Sequence, residues 1–415
     1  MAGMEAAMVD RLATGEGWAL LQSLPPYDEA SAIQLQVRLR EAYDPDLVAA
    51  ALSQSRLRAR AVEKFGDFAA GMLFTPDGLE QATRLSLAAR HAHRFAGAGV
   101  REIYDLGCGI GADAMAFAGL DLTVRAVDAD PATAKVAAAN LRHWPSARVT
   151  EARAEEVRLP LGEAARRLGV WLDPARRVSG VADIRGRTKR VFSLDAISPT
   201  WQQVQDFAAD VPATGAKLSP AFPHAAIPRG AEAQWSSWHG EVLECAVWWG
   251  PLAATPGRTA AVCSEAATHV VTEADAAPAA DAGHLASVED VAEWLYEADR
   301  AVIRAGLTGA LAASVNGTEL GAGLGYVTSP AAYDIAWARR YRVLEAMPLS
   351  TKALARWLRD HGHDRVTIKK RGVTLDADLL RRQLKMTGRG RGGSEATLVI
   401  TRVAGAQVAL VVAPA

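Results

Sequence analysis

The sequence is poor in cysteine. Cys108, Cys245 and Cys263 are widely spaced and form no C-x-x-C pair. An odd count at such spacing excludes a disulfide framework and gives no ligand set for a structural zinc, so no metal is expected and a reducing cytoplasm fits. There is no run of about 18 apolar residues, so no transmembrane helix and no membrane partner are expected. The first residues, MAGMEAAMVDRLATGEG, carry acids early and lack an apolar core segment, so no signal peptide is expected. Charge of one sign is not in excess, since 46 Lys and Arg face 47 Asp and Glu. With 50% of residues hydrophobic and 22% charged, a disordered chain is excluded as well.

What remains is a globular chain whose 415 residues exceed one compact core, so two or three domains are expected. The near-zero net charge hides an asymmetry. From Ser350 to the last residue there are thirteen Lys and Arg against five Asp and Glu, a balance of +8, which leaves −9 for the rest. A basic segment on an acidic body points to a polyanionic partner, or else to a solvated charged face.

Residues 1–75 read as a helical region. A helix can begin at Pro45, and Leu57, Ala61 and Phe65 recur along one face before Gly66 ends it. Pro76-Asp77-Gly78 is a turn signal, with helix resuming over 79–95. Short apolar runs then alternate with helical stretches: 102–106, 123–128, 147–151 and 168–173 as strands, with an Ala-rich helix over 131–141. This alternation predicts an α/β domain over 76–273, with a mostly parallel sheet covered by helices. Runs at 233–238 and 242–249, joined at His239-Gly240, predict a hairpin that adds an antiparallel strand. Residues 274–283 (ADAAPAADAG) read as a linker. Residues 284–349 are expected to be mostly helical, including 288–305. The last segment, 350–415, reads helix, strand, helix, Gly/Arg loop, strand, strand: a small α+β domain.

The most informative stretch is Asp105-Leu-Gly107-Cys-Gly109-Ile-Gly111, where a strand ends in a glycine loop that opens a helix. Glycines there let the backbone approach a ligand closely. A dinucleotide fingerprint would run G-x-G-x-x-G/A, and Ala112 can supply its last position. The pattern here is G-x-G-x-G, preceded by Asp105, whose carboxylate would repel a pyrophosphate but can hold an ammonium. Asp128 ends the second strand, where a carboxylate can accept both ribose hydroxyls of an adenosine.

This set resembles the cofactor site of class I S-adenosylmethionine-dependent methyltransferases over roughly 74–254, which implies their Rossmann-like sheet and S-adenosyl-L-methionine as cofactor. The resemblance places Asp105, Gly107, Gly109, Gly111 and Asp128 at that cofactor. After the third strand the family often has an acidic residue near the adenine; Arg153 stands there, and Glu155 is the substitute. At the tip of the fourth strand, Asp173-Pro174-Ala-Arg176 resembles the D-P-P-R or N-P-P-Y element of methyltransferases acting on nucleobases. It implies Asp173 and Pro174 as the catalytic elements that orient or deprotonate the acceptor, although Ala175 replaces the second proline. Arg176, within a basic run to Arg190, and Lys217 at the fifth strand's tip are the substrate-side cations. A ribose-hydroxyl reading would use Asp173, Lys217 and Glu241 or Glu244, but it lacks its first lysine. No cysteine follows a strand-tip proline, which disfavours covalent ring-carbon chemistry.

Val366-Thr-Ile-Lys369-Lys370-Arg371-Gly372, with Arg381, Arg382 and the Gly/Arg loop, resembles the THUMP-like domain behind some bacterial methyltransferases; Lys64-Phe-Gly66 and Leu73-Phe-Thr75 are also similar to that group. The resemblance implies RNA, possibly tRNA, as partner, with Lys369, Lys370 and Arg371 on its backbone. The expected activity is methylation of a base nitrogen in RNA. The alternatives are a small-molecule methyltransferase with an incidental basic tail, and a non-catalytic RNA-binding protein on this fold.

Overall fold

The computed structural model describes residues 6–160, 162–176, 193–385 and 394–415. Most of the basic run (177–192) and the Gly/Arg loop therefore lie outside the described residues. The chain divides into two compact units, Met1–Leu218 with Val247–Ala254, and Ser219–Ala246 with Thr255–Ala415.

The first unit opens with helices α1 (Ala6–Ala13), α2 (Gly15–Ser23), α3 (Ala32–Leu39) and α4 (Pro45–Phe65). Asp44 starts α4 by accepting the N–H groups of Asp46 and Leu47, with Pro45 at the first helical position. Leu47, Val48, Ala51, Leu57, Ala61 and Phe65 form its buried face, and Gly66 ends it at φ +55°. Pro76-Asp77-Gly78, read as a turn, begins a helix instead. Thr75 caps α5 (Pro76–Gln81) through the N–H of Gly78, and a break at 82–84 separates it from α6 (Leu85–Gly97).

Strands β1 (Glu102–Leu106), β2 (Thr123–Asp128), β3 (Ala147–Glu151), β4 (Leu168–Leu172) and β5 (Thr214–Leu218) follow, with α7 (Ala112–Gly119), α8 (Pro131–Asn140) and α9 (Trp201–Asp210) between them. They run parallel in the order β5-β4-β1-β2-β3. Chain order reverses between β1 and β4, and that crevice at the strands' carboxyl ends is where an open α/β sheet binds ligands. Beneath it, Trp171 and Trp248 stack 5.2 Å apart and are enclosed by Phe95, Phe117 and His91.

In the second unit β6 (Glu232–Trp238) and β7 (Glu241–Trp248) form the expected hairpin, turning on His239 and Gly240, both at positive φ. Val247 and Trp248, at the end of β7, belong to the first unit and run beside β5. β8 (Gly257–Cys263) pairs parallel with β6, and β9 (Thr268–Thr272) antiparallel with β8. Trp235 is a core residue whose indole N–H donates to the Pro220 carbonyl at 3.0 Å, while Trp238 is half-buried.

Residues 284–349 correct the expectation of a mostly helical connector. They supply β10 (Trp294–Ala298), β11 (Thr318–Glu319), β12 (Tyr326–Ser329) and the eleven-residue β13 (Ala338–Pro348), with two short helices, α10 (Arg300–Arg304) and α11 (Thr308–Ser314). The aromatic residues of 294–298 favour an extended chain, and Asp299 starts a helix only afterwards, by accepting the Ala301 N–H. These strands share one sheet with β14 (His363–Lys370), β15 (Ser394–Val403) and β16 (Ala406–Pro414), in the order β11-β12-β10-β13-β16-β15-β14. Only β14 and β15 pair in parallel. The terminal α+β segment thus extends a sheet that begins at Trp294, with α12 (Thr351–Asp360) and α13 (Ala377–Gln383) packed on it. The stretch read as a linker holds a short helix, Glu273–Ala276, whose start is boxed by Thr272 and Asp275.

Candidate active site

The glycine loop is shaped by three left-handed residues: Gly107 at φ +88°, Gly109 at +55° and Gly111 at +85°. L side chains rarely adopt these angles. The N–H groups of Gly107 and Cys108 donate to the Val127 carbonyl, which pins the loop to the end of β2. Asp128 closes the same corner. One of its carboxylate oxygens accepts the Gly109 N–H and the other the Asp130 N–H, both at 2.9 Å, while burial pushes its pKa upward. A carboxylate has about four acceptor sites, so capacity remains for hydroxyl donors.

Asp105 is almost wholly enclosed, and its Oδ2 has no hydrogen-bond partner. Burial, then the charges of Asp113 and Asp173, push its carboxyl well above the usual range. An orphaned buried acid beside a glycine loop fits a site awaiting an ammonium group. Burial also pushes the Cys108 and Cys245 thiols well above their ordinary range, against a thiolate nucleophile.

Asp173 follows β4 directly. Its N–H donates to the Leu106 carbonyl at 3.2 Å, and its own carbonyl lies against Gly107. Pro174 is buried. The carboxylate pairs with Lys217 near the end of β5, and the Lys217 ammonium also donates to the Thr83 hydroxyl at 3.0 Å. Thr83 in turn donates to Asp113 at 2.7 Å, and His91 Nδ1 lies 2.8 Å from the other oxygen of Asp113. Asp113 is buried, which opposes its charge, but His91, Lys217 and Thr83 outweigh burial and hold its carboxyl below the usual range.

The structure therefore brings Asp105, Gly107, Gly109, Gly111, Asp128, Asp173 and Lys217 to one end of the parallel sheet. Glu155 lies just after β3, accepts the Ser198 hydroxyl at 3.0 Å and faces Arg153 at 3.8 Å. The Arg176 backbone pairs with Ile197 in a two-residue ladder. In the second unit, Lys369 and Arg371 both reach Glu297, at 2.6 and 3.2 Å, and Lys370 donates to the Leu375 carbonyl. Arg371 also donates to the Leu324 carbonyl at 2.8 Å. Burial works against the Glu297 charge, but Lys369 and Arg371 hold its carboxyl below the usual range.

Sequence reasoning missed Thr83, Asp113 and His91, which belong to no motif. It also missed how the N-terminal helices support the loop. The Gln54 amide bonds both the N–H and the carbonyl of Phe74; Asn140 does the same for Leu73 and adds the Ile110 carbonyl. The Leu73-Phe74-Thr75 motif was the available signal for this clamp.

Among the described residues no helix is long and apolar enough to cross a membrane, and no cluster of His, Cys, Asp and Glu could hold a metal ion. The THUMP domain-like family matches residues 338–414, and a domain of unknown function (DUF8688) matches 5–61. A solved structure of a candidate methyltransferase from Porphyromonas gingivalis is similar with a TM-score of 0.67 and 20% identity, over 94% of this chain and all of that one, and so shares the fold. An uncharacterized S-adenosylmethionine-dependent methyltransferase of Mycobacterium tuberculosis, recorded in two strains, is 30% identical over 363 residues, 84% of this chain and 90% of its own length. The chain belongs to the S-adenosylmethionine-dependent methyltransferases, with a class I methyltransferase fold and a THUMP-like domain at its C-terminal end.

Proposed function

We propose that this enzyme methylates a base nitrogen of RNA in the cytoplasm, with tRNA the leading class. The observation that carries the reading is the position of Asp173. Its backbone touches the cofactor loop at Gly107 while its carboxylate, about one third exposed, is held by Lys217. S-adenosylmethionine supplies a methyl group made electrophilic by its sulfonium. Asp105 would hold its ammonium, the Gly107–Gly111 backbone would admit it closely, Asp128 would accept its ribose hydroxyls, and Glu155 would border the adenine. Asp173 accepts a hydrogen bond from the target amine and takes its proton. Buried Pro174 keeps the tip rigid, so orientation supplies most of the rate.

Support for RNA comes from the second unit. Lys352, Arg356 and Arg359 lie on one face of α12, exposed, and among the described residues none of them is tied to a carboxylate. On another face of the same helix Trp357 stacks nearly parallel with His361 and His363, at 3.9 and 5.7 Å between ring centroids. A helix face of such cations suits a phosphate backbone, and an aromatic stack suits unpaired bases. Lys370 and, in the first unit, Arg176 also meet RNA in our reading, whereas Lys369 and Arg371 spend their charge on Glu297. A small-molecule acceptor is the second reading, favoured by that internal neutralisation. Incubating the enzyme with labelled S-adenosylmethionine and RNA from a strain lacking the gene, followed by nucleoside mass spectrometry, separates the two. Label in a modified base supports the first, and label that never enters RNA supports the second.

A further inference from the structure

Lys64 ends α4 with its ammonium inserted among the carbonyls of Leu79, Glu80 and Ala82, at 2.9, 2.6 and 3.0 Å. These are the carbonyls that a helix end leaves without partners, so Lys64 stops α5 and fixes the turn that follows. The next residue is Thr83, buried to 6% exposure. Its single hydroxyl does two things: it donates to Asp113 and accepts from Lys217. Asp113 is held on its other side by His91, whose ring packs 4.4 Å from Trp171 in the core. An unbroken polar chain thus runs from the aromatic core through His91, Asp113, Thr83 and Lys217 to Asp173.

We propose that Thr83 is a positioning residue for methyl transfer, aiming Lys217 at Asp173 from an anchor made by Lys64 and the buried Asp113–His91 pair. The inference rests on the reading of Asp173 as the acceptor-facing carboxylate. A lysine ammonium on a flexible four-carbon stem loses rotamer freedom when held in one place. The hydroxyl supplies a fixed second partner that selects the rotamer pointing at Asp173. Without it Lys217 keeps its charge and loses its aim, and Asp113 keeps an unsatisfied buried oxygen. The N-terminal helices acquire a role by the same route, since they carry Lys64 and deliver Thr83.

The test uses the full chain with Thr83→Val, Thr83→Ser and Asp173→Ala. One readout needs no acceptor: the Lys217 ¹⁵Nζ resonance, identified by its loss in Lys217→Met among the eight lysines of the chain. It should be sharp in wild type and Thr83→Ser, and broadened by solvent exchange in Thr83→Val. The second readout is turnover on RNA from a strain lacking the gene. Thr83→Val should lose roughly tenfold or more in kcat with KM for S-adenosylmethionine within about threefold, and Thr83→Ser should recover most of it. Should Thr83→Val fail to fold, Asp113→Asn carries the same prediction for the resonance. An unchanged Lys217 resonance in a folded variant overturns the proposal. Normal turnover in Thr83→Val with an inactive Asp173→Ala also overturns it and leaves the Asp173 reading standing. An active Asp173→Ala overturns the Asp173 reading instead, while the resonance still reports on Lys217.

Discussion

The Asp173 carbonyl oxygen lies where a side chain on Gly107 would begin, and a Cβ added there would come within 2.8 Å of it. The glycine loop and the tip of β4 are in backbone contact, so under the proposed function the space for the methyl donor and the carboxylate for its acceptor are set by one another. Gly107→Ala therefore strains two things at once, a backbone at φ +88° and the seat of Asp173. The left-handed angle alone costs about 1–2 kcal/mol. Cofactor affinity should fall by roughly tenfold or more, at about 1.4 kcal/mol per tenfold. Calorimetric titration with S-adenosylmethionine checks this, and an unaltered Kd would remove the contact from the site.

Asp105 gives a pH dependence. Its raised pKa means that the folded chain keeps a proton the unfolded chain releases, so its contribution is stabilising below the unfolded value and is lost as pH rises through the folded one. Asp105→Asn cannot ionise, and it should raise the melting temperature at neutral pH. A cofactor ammonium needs the carboxylate, so wild-type affinity should climb from acid to neutral pH. The Asn variant should bind weakly with a flat profile. A wild-type profile that is already flat would mean that Asp105 does not meet the ammonium.

Glu297 is a structural anchor for two buried-side cations, and removing it strands Lys369 and Arg371. Glu297→Ala should cost roughly 1.5–3 kcal/mol, as for other charge-assisted hydrogen bonds. Because its carboxyl is held below the usual range, the stability it contributes is present above the unfolded pKa and lost as pH falls through the folded one. Denaturant titrations of wild type and variant should therefore converge in acid. A gap that persists in acid would show that packing, not charge, is responsible.

Reversing Lys352, Arg356 and Arg359 to glutamate should weaken RNA binding across sequences. If each cation neutralises one phosphate, the slope of log affinity against log salt should shrink by about one per residue. Reversing Lys369 and Arg371 instead would break the Glu297 pairs, so lost binding there would not distinguish contact from unfolding. Gel shifts at two salt concentrations measure the slope, and equal slopes would detach α12 from RNA.

Sequence reading located β1 to β3 as the structure has them and β4 to within a residue, because each is a short apolar run punctuated by glycine, proline or acid. Asp105, the three glycines, Asp128 and Asp173 were legible for the same reason: strand ends concentrate chemistry at fixed offsets. Thr83, Asp113 and His91 were not legible, since they lie on three separate elements and meet only after packing. Residues 284–349 misled because a strand, Trp294–Ala298, and a short helix, Arg300–Arg304, follow one another directly and read as one helical stretch over 288–305. Likewise Lys369, Lys370 and Arg371 read as one cationic run, but alternation along β14 sends Lys369 to Glu297 and Lys370 elsewhere.

The most direct measurement compares wild type with Asp173→Ala in two assays on the same samples: S-adenosylmethionine binding by calorimetry, and transfer of its labelled methyl group to RNA from a strain lacking the gene, with the modified nucleoside identified by mass spectrometry. The account predicts label on a base nitrogen with wild type, and loss of nearly all of it in Asp173→Ala with cofactor Kd within a few-fold. Wild-type label found on ribose or absent from RNA, or an Asp173→Ala variant that still transfers methyl groups, would contradict it.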